Sequence, residues 1–237
     1  MDHAVQKIEI FGGAEYVYAA PSRNAFRFDR RNGCVVMTVR PGDRAGYDRA
    51  RGRPFERAEL LSRFVLPFGR PTTIRYFQYI APGSTANVPA IIGQLHNSAE
   101  AEERPLPAII AMQAQHGVQR ILTHAVPERL APKAPVSMVR WSAPQTVGRW
   151  VHWIWEITPD PLSGHLRVWR DGASIVDAAM PLGYNDPRGP YWQFGIYRVR
   201  DVGVMRVAYA DVTIRPGAAG PIGETPPPPR CSVEPVG

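Results

Sequence analysis

Three short segments hold residue types that could do chemistry together. In Glu56-Arg57-Ala58-Glu59-Leu60, Arg57 and Glu59 stand two positions apart. On a strand they share a face, and a carboxylate beside a guanidinium fixes its pose for gripping an anion. In Ile91-Ile92-Gly93-Gln94-Leu95-His96-Asn97, Gln94 and His96 also share a face. The amide offers a neutral donor and acceptor, and the imidazole titrates near neutral pH. In Tyr191-Trp192-Gln193-Phe194-Gly195-Ile196-Tyr197-Arg198, alternation puts Tyr191, Gln193, Gly195 and Tyr197 on one face. Trp192, Phe194 and Ile196 take the other, and Gly195 reads as space left for a ligand. Each segment alone has a plainer reading: a surface ion pair, a structural histidine, a solvent-facing aromatic strand.

Strands must position these residues. Alternating, β-branched or aromatic runs recur at 33–40, 59–66, 72–80, 108–113, 150–157, 165–170, 192–198 and 205–214. Asp171-Gly172 between two such runs marks a tight hairpin. There are 25 Pro and 21 Gly, and no long amphipathic helix or internal repeat is visible. The expected fold is all-β, two sheets packed face to face. One domain is expected over residues 1–215, followed by a tail over 216–237. The run Thr225-Pro226-Pro227-Pro228-Pro229 reads as an extended spacer rather than a packed element. The six tryptophans divide between core and sugar-stacking platforms, most of them core.

Charge is uneven along the 237 residues. The chain carries 26 Arg but only 2 Lys, for a net charge of +7. Residues 21–75 hold 13 Arg against five acids, so the whole excess falls in the first third. That fits a polyanionic partner, or merely a composition biased toward Arg. Signatures of RNA-binding modules and zinc fingers are missing, so nucleic acid is not expected as a partner. No apolar run is long enough for a membrane-spanning helix. The two cysteines, Cys34 and Cys231, are either bridged, as in an exported protein, or two unrelated thiols. The first residues lack an export signal. A secreted or periplasmic protein with its signal removed is expected, the cytoplasm being left open.

The order Arg-x-Glu-Leu, Gln-x-His and Tyr-x-x-Phe-Gly-x-Tyr-Arg resembles the β-jelly-roll polysaccharide lyases. These include the heparin lyase I type, the glucuronan lyases and the alginate lyases on that scaffold. The stretches around Gly148-Arg149-Trp150 and from Gly164 to Gly172 are similar to theirs as well. The resemblance covers roughly residues 25–215. It implies a jelly roll with a concave groove and cleavage of a uronate polymer by β-elimination. It assigns Tyr197, His96, Gln94 and Arg57 as catalytic. Gln94 and Arg57 would bind the substrate carboxylate, and Glu59 would hold Arg57. Asn97, Tyr191, Gln193 and Arg198 would complete the substrate contacts. A nearby Arg57 or Arg198 would have to favour the Tyr197 phenolate if it is to act as base. Where the C5 hydrogen and O4 lie on the same side, Tyr197 would serve as both base and acid. Where they lie opposite, His96 would be base and Tyr197 acid.

Many relatives carry Lys where this chain has Gln193. That points away from sulfated heparin and toward glucuronan or a glucuronate-containing exopolysaccharide. A lectin-like module without chemistry, and a heparin or alginate lyase, are the alternatives. The carboxylate run of a retaining glycoside hydrolase on the related scaffold does not occur. No cofactor is expected for the chemistry; a structural calcium near Asp211 is conceivable, without an Asp-rich loop to support it. The protein is expected to be a monomer. The stretch 97–107, with Glu100, Glu102, Glu103 and Arg104, reads as a lid or as a solvated acidic loop.

Overall fold

The computed structural model describes residues 8–98, 105–130, 133–220 and 224–237. Residues 99–104 of the anticipated lid lie outside these. The first sheet holds β1 (Ile8–Phe11), β2 (Ala14–Ala19), β5 (Phe55–Val65), β7 (Ala90–His96) and β8 (Ile110–Gln115). It is completed by β9 (Val118–Thr123), β11 (Met138–Pro144) and β15 (Tyr191–Val199). Its strand order is β1-β2-β5-β15-β7-β8-β9-β11. The second sheet contains β3 (Phe26–Asp29), β4 (Cys34–Val39), β6 (Thr72–Ile80), β10 (Ala125–Val126) and β12 (Trp150–Thr158). With β13 (Asp160–Arg170), β14 (Ala173–Tyr184) and β16 (Met205–Pro216), it runs β10-β14-β13-β12-β6-β16-β4-β3. A short helix, α1 (Gly46–Ala50), precedes β5.

Alternation decides what fills the space between the sheets. Trp155 from β12 meets Trp192 from β15, Trp153 stacks on Trp155, and Phe194 from β15 packs on Tyr209 from β16, all buried. Burying a side chain of this kind stabilises by about 1.5–3 kcal/mol, so a few such layers hold the sandwich closed. Each expected strand is present. Asp171 and Gly172 both take positive φ, as a two-residue hairpin turn requires.

The polar atoms inside this core are organised around two irregularities. Pairing of β7 with β8 slips between Ile91 and Gln94, and pairing of β15 with β7 slips between Gln193 and Tyr197. Such bulges turn backbone carbonyls out of the ladder and re-aim the side chains that follow. The hydroxyl of Tyr209 on β16 lies beneath both. It donates to the Ile92 carbonyl, and the Gly195 carbonyl is 3.2 Å away. Gln78 on β6 donates to the same Ile92 carbonyl at 3.0 Å. One phenol in the second sheet thus supports the kinks that aim His96 and Tyr197 in the first.

Gly195 answers to packing rather than to a ligand. Its φ is +137, and a Cβ there would stand 2.2 Å from the Ala58 carbonyl oxygen and 2.9 Å from the sulfur of Met37. The expected ligand space at this position is therefore a close approach of strands.

The tail is not a free spacer. Cys34 and Cys231 are bridged, with Cα atoms 6.5 Å apart. The Ala219 amide donates to Glu156 Oε2 at 2.6 Å, and Arg206 donates to the carbonyls of Glu234 and Pro235. Residues 225–237 form neither helix nor strand, and these contacts fasten the tail to the second sheet.

Tyr209→Phe would remove one of the two donors to the Ile92 carbonyl and the hydroxyl beside the Gly195 carbonyl. The expected cost is about 1–3 kcal/mol, or a Tm lowered by roughly 2–10 °C in a thermal melt. An unchanged Tm would contradict the role given to this hydroxyl.

Candidate functional site

The outer face of the first sheet carries a cleft of about 790 Å³. Register brings the sequence candidates together across its floor. Arg57 on β5 is directly opposite Tyr197 on β15; Gln193 faces Gln94, and Tyr191 faces His96 on β7. All six side chains line the cleft, as does Asn97.

Arg57 is the centre of the arrangement. Its Nε lies 2.7 Å from Asp48 Oδ2, its Nη2 donates to Asp48 Oδ1 at 3.2 Å, and its Nη1 donates to Glu59 Oε2 at 3.3 Å. Each Nη carries a second hydrogen that these bonds leave over. The guanidinium carbon sits 4.4 Å from the Tyr197 ring centroid and 5.1 Å from that of Tyr47. Burial alone would lower its pKa, but Glu59, Tyr47 and Asp48 more than offset this.

The loop before β5 delivers Asp48. The Arg57 amide donates to the Asp43 carbonyl at 2.9 Å, and the Gly42 amide donates to Glu56 Oε1 at 2.6 Å. Pinned this way, α1 places Asp48 against Arg57 and leaves Tyr47 at the rim of the cleft.

Glu59 is 1% exposed and lies under the floor rather than in it. It holds Arg57 from one oxygen and accepts from Gln94 Nε2 at 2.6 Å with the other. It can touch a ligand only through these two. Burial pushes its pKa up to about 7, against the pull of Arg57 and the Gln94 amide. Gln94 Nε2 also donates to Gln193 Oε1 at 3.1 Å, so both its amide hydrogens are committed. A carboxylate arriving here can take the place of Gln193 Oε1 and convert a neutral hydrogen bond into a charge-assisted one.

His96 and Tyr197 are held in opposite states of readiness. Burial lowers the pKa of His96, and Arg57 lowers it further against the Asn97 carbonyl. Nδ1 is 3.1 Å from that carbonyl, which can only accept, so Nδ1 carries the hydrogen and Nε2 keeps a free lone pair. Tyr197 is pushed up to about 12 by burial, which outweighs the pull of Arg57. The expected phenolate is therefore not the resting form, and the phenol stays protonated at neutral pH.

Arg198 is a correction. It is 1% exposed on the side of β15 opposite Tyr197, with Nε donating to Glu56 Oε2 at 2.9 Å and Nη2 to the Gly203 carbonyl at 2.6 Å. It fastens β5 to the β15–β16 turn and reaches no ligand in the cleft. No tryptophan lines the cleft among the described residues; its aromatic lining is Tyr47, Phe55, Tyr191 and Tyr197. The expectation of tryptophan platforms is replaced by these rings. Sequence reading missed Asp48, hidden in an arginine-rich stretch, and His124, which lines the cleft's far end. His124 Nδ1 lies 2.6 Å from the Ala108 carbonyl, and Nε2 lies 2.6 Å from Ser137 Oγ.

Asp211, named as a conceivable calcium ligand, shares its surroundings with Glu224 as well as with cations. It borders a separate cavity of about 500 Å³ whose wall carries Arg75, Arg215 and His152. Among the described residues, no three His, Cys, Asp or Glu side chains gather to hold a metal. No described helix is long and apolar enough to cross a membrane.

A family profile described as "Polysaccharide lyase" matches residues 23–213. Solved structures that share the fold include the following. An endo-β-1,4-glucuronan lyase from the fungus Trichoderma reesei is 12% identical, with a TM-score of 0.64 over 90% of this chain and 92% of that one. An alginate lyase from Pseudomonas aeruginosa is 16% identical, with a TM-score of 0.56 over 85% and 97%. An alginate lyase from a Corynebacterium species is 8% identical, with a TM-score of 0.56 over 83% and 82%. No curated protein matches the chain.

With Glu59 ionised, the Arg57–Asp48–Glu59 group carries one net negative charge; with Glu59 protonated it is neutral. An incoming carboxylate favours the protonated form. Affinity for a uronate oligosaccharide should therefore weaken as pH rises through 7, by at most about tenfold per unit. Glu59→Gln should flatten that dependence. Calorimetric titration at pH 6 and pH 8 checks this, and an equal slope in the variant would contradict it.

Proposed function

This chain belongs to the polysaccharide lyases, and we propose that it cuts glucuronan or a glucuronate-containing exopolysaccharide by β-elimination. The observation that carries the choice of an anionic sugar is the lining of the cleft. Arg53 and Arg57 are its only charged side chains among the described residues, while the balancing carboxylates Asp48 and Glu59 lie beneath. The neutral Gln193 at the floor supports a carboxylate polymer over a sulfated one. Its amide oxygen accepts from Gln94, so this position of the floor holds a neutral amide and no cation.

The difficult step is removal of a proton from C5, beside a carboxylate that becomes a dianion as the proton leaves. The spare Nη hydrogens of Arg57, joined by Gln94, would stabilise that charge. His96 Nε2 takes the C5 proton. The C5–H electrons form the C4=C5 double bond, and the C4–O4 bond breaks. The Tyr197 phenol gives its proton to the departing O4, and the imidazolium returns a proton to the tyrosinate. Both groups rise from one sheet and act from one side of the sugar. That suits β-1,4-linked glucuronate, where the C5 hydrogen and O4 lie on the same side. We assign proton removal to His96 rather than to Tyr197 alone because burial raises the Tyr197 pKa and disfavours its phenolate.

Incubation with glucuronan, alginate and heparin, followed by absorbance of the unsaturated product, tests the assignment. Glucuronan is expected to give the fastest rise. Tyr197→Phe and His96→Ala should each lower kcat by about 10²–10⁴-fold. A faster rise on alginate or heparin would overturn the choice of polymer. Polymer binding without product from the wild type would point to a lectin-like module.

A further inference from the structure

We propose that Arg120 forms a second carboxylate subsite, three strands away from Tyr197, so that the polymer lies across the strands of the first sheet. The inference rests on the lyase reading for its ligand but on separate residues for its geometry. Alternation along β9 sends Gln119, Ile121 and Thr123 into the core, where each is nearly or wholly buried. Arg120 and Leu122 must then point to the outer face, Arg120 standing just beyond the residues that line the cleft. Leu122 lines the cleft, and so does Gln113, the residue of β8 directly opposite Arg120.

Register connects this position to the catalytic floor without a gap. Arg57 faces Tyr197, Tyr197 faces Ile91, Ile91 faces Gln113, and Gln113 faces Arg120. These residues form one row across β5, β15, β7, β8 and β9. At ~4.8 Å per strand, Arg120 stands about 14 Å from Tyr197 and about 19 Å from Arg57. The row reads cation, phenol, apolar side chain, amide, cation. A polymer with repeating carboxylates laid along it would meet guanidinium groups at both ends.

Arg120 has nothing else to hold. Among the described residues its side chain makes no hydrogen bond and no ion pair, although the residue is half-buried. Arg140 on the neighbouring strand, by contrast, donates to Thr123 Oγ1 at 2.8 Å, and Arg63 pairs with Glu15 at 3.2 Å. A half-buried guanidinium without a partner, on the binding face of a sheet, is placed for an anion from outside. A cleft gripped at a distance on one side of the scissile bond also favours cutting within chains over trimming their ends.

Binding of oligoglucuronates of increasing length to the Tyr197→Phe protein tests the subsite. Affinity should step up by about tenfold or more once the oligomer spans the ~14 Å to Arg120. Arg120→Gln should remove that step and leave the affinity of the shortest oligomers where it was; Arg120→Lys should restore part of it. A smooth length dependence with Arg120 intact overturns the inference, as does an equal loss for the shortest oligomers. If the wild type cleaves no uronate polymer yet the Arg120-dependent step is present, the lyase reading fails and the subsite stands.

Discussion

Arg57 is clasped between two buried carboxylates, and the rest of the site is arranged around that contact. A guanidinium taken out of water needs charged partners to remain there. Asp48 and Glu59 supply them and hold the planar group in place. Two carboxylates against one cation leave a surplus negative charge. Glu59, with its pKa near 7, can relieve that surplus by taking a proton. The same contact connects outward. Glu59 reaches Gln94, Gln94 reaches Gln193, and Arg57 lies over the Tyr197 ring. A change at any of these is felt by the guanidinium.

The scaffold positions this group by ordinary means. Antiparallel register brings β5, β15 and β7 side by side, so residues about 140 positions apart share one floor. Bulges then re-aim the side chains that matter, and Tyr209 supports those bulges from the opposite sheet. The buried Arg198–Glu56 pair has the quieter task of holding β5 and, through Gly42, the loop that carries Asp48. On the far side of the sandwich, the tail covers part of the second sheet and is tied by Cys231 and by bonds from Arg206.

Much of this is legible in the sequence because strands have a period of two. Alternation alone puts Arg57 with Glu59, Gln94 with His96, and Tyr197 with Gln193. The same rule turns Arg198 away from Tyr197, so its structural role was within reach of the residues themselves. What alternation cannot give is anything that depends on a bulge or a loop. Gly195 looked like room for a ligand because its strand was taken as regular; the positive φ and the crowding by Ala58 belong to the bulge. Asp48 reaches Arg57 from a short helix whose placement depends on contacts with Asp43 and Glu56. The protonation of Tyr197 depends on burial, and a neighbouring arginine seen in sequence suggested the opposite shift. The tail's proline run says extended but does not say against what.

The most direct test of the account is the effect of removing the Arg57 guanidinium on kcat/KM for glucuronan. Arg57→Ala, with its fold checked by a thermal melt, is predicted to lose about 10²–10³-fold, with part of the loss restored by free guanidinium ion. A folded Arg57→Ala protein within a few-fold of wild type would show that the substrate carboxylate is neutralised by some other group.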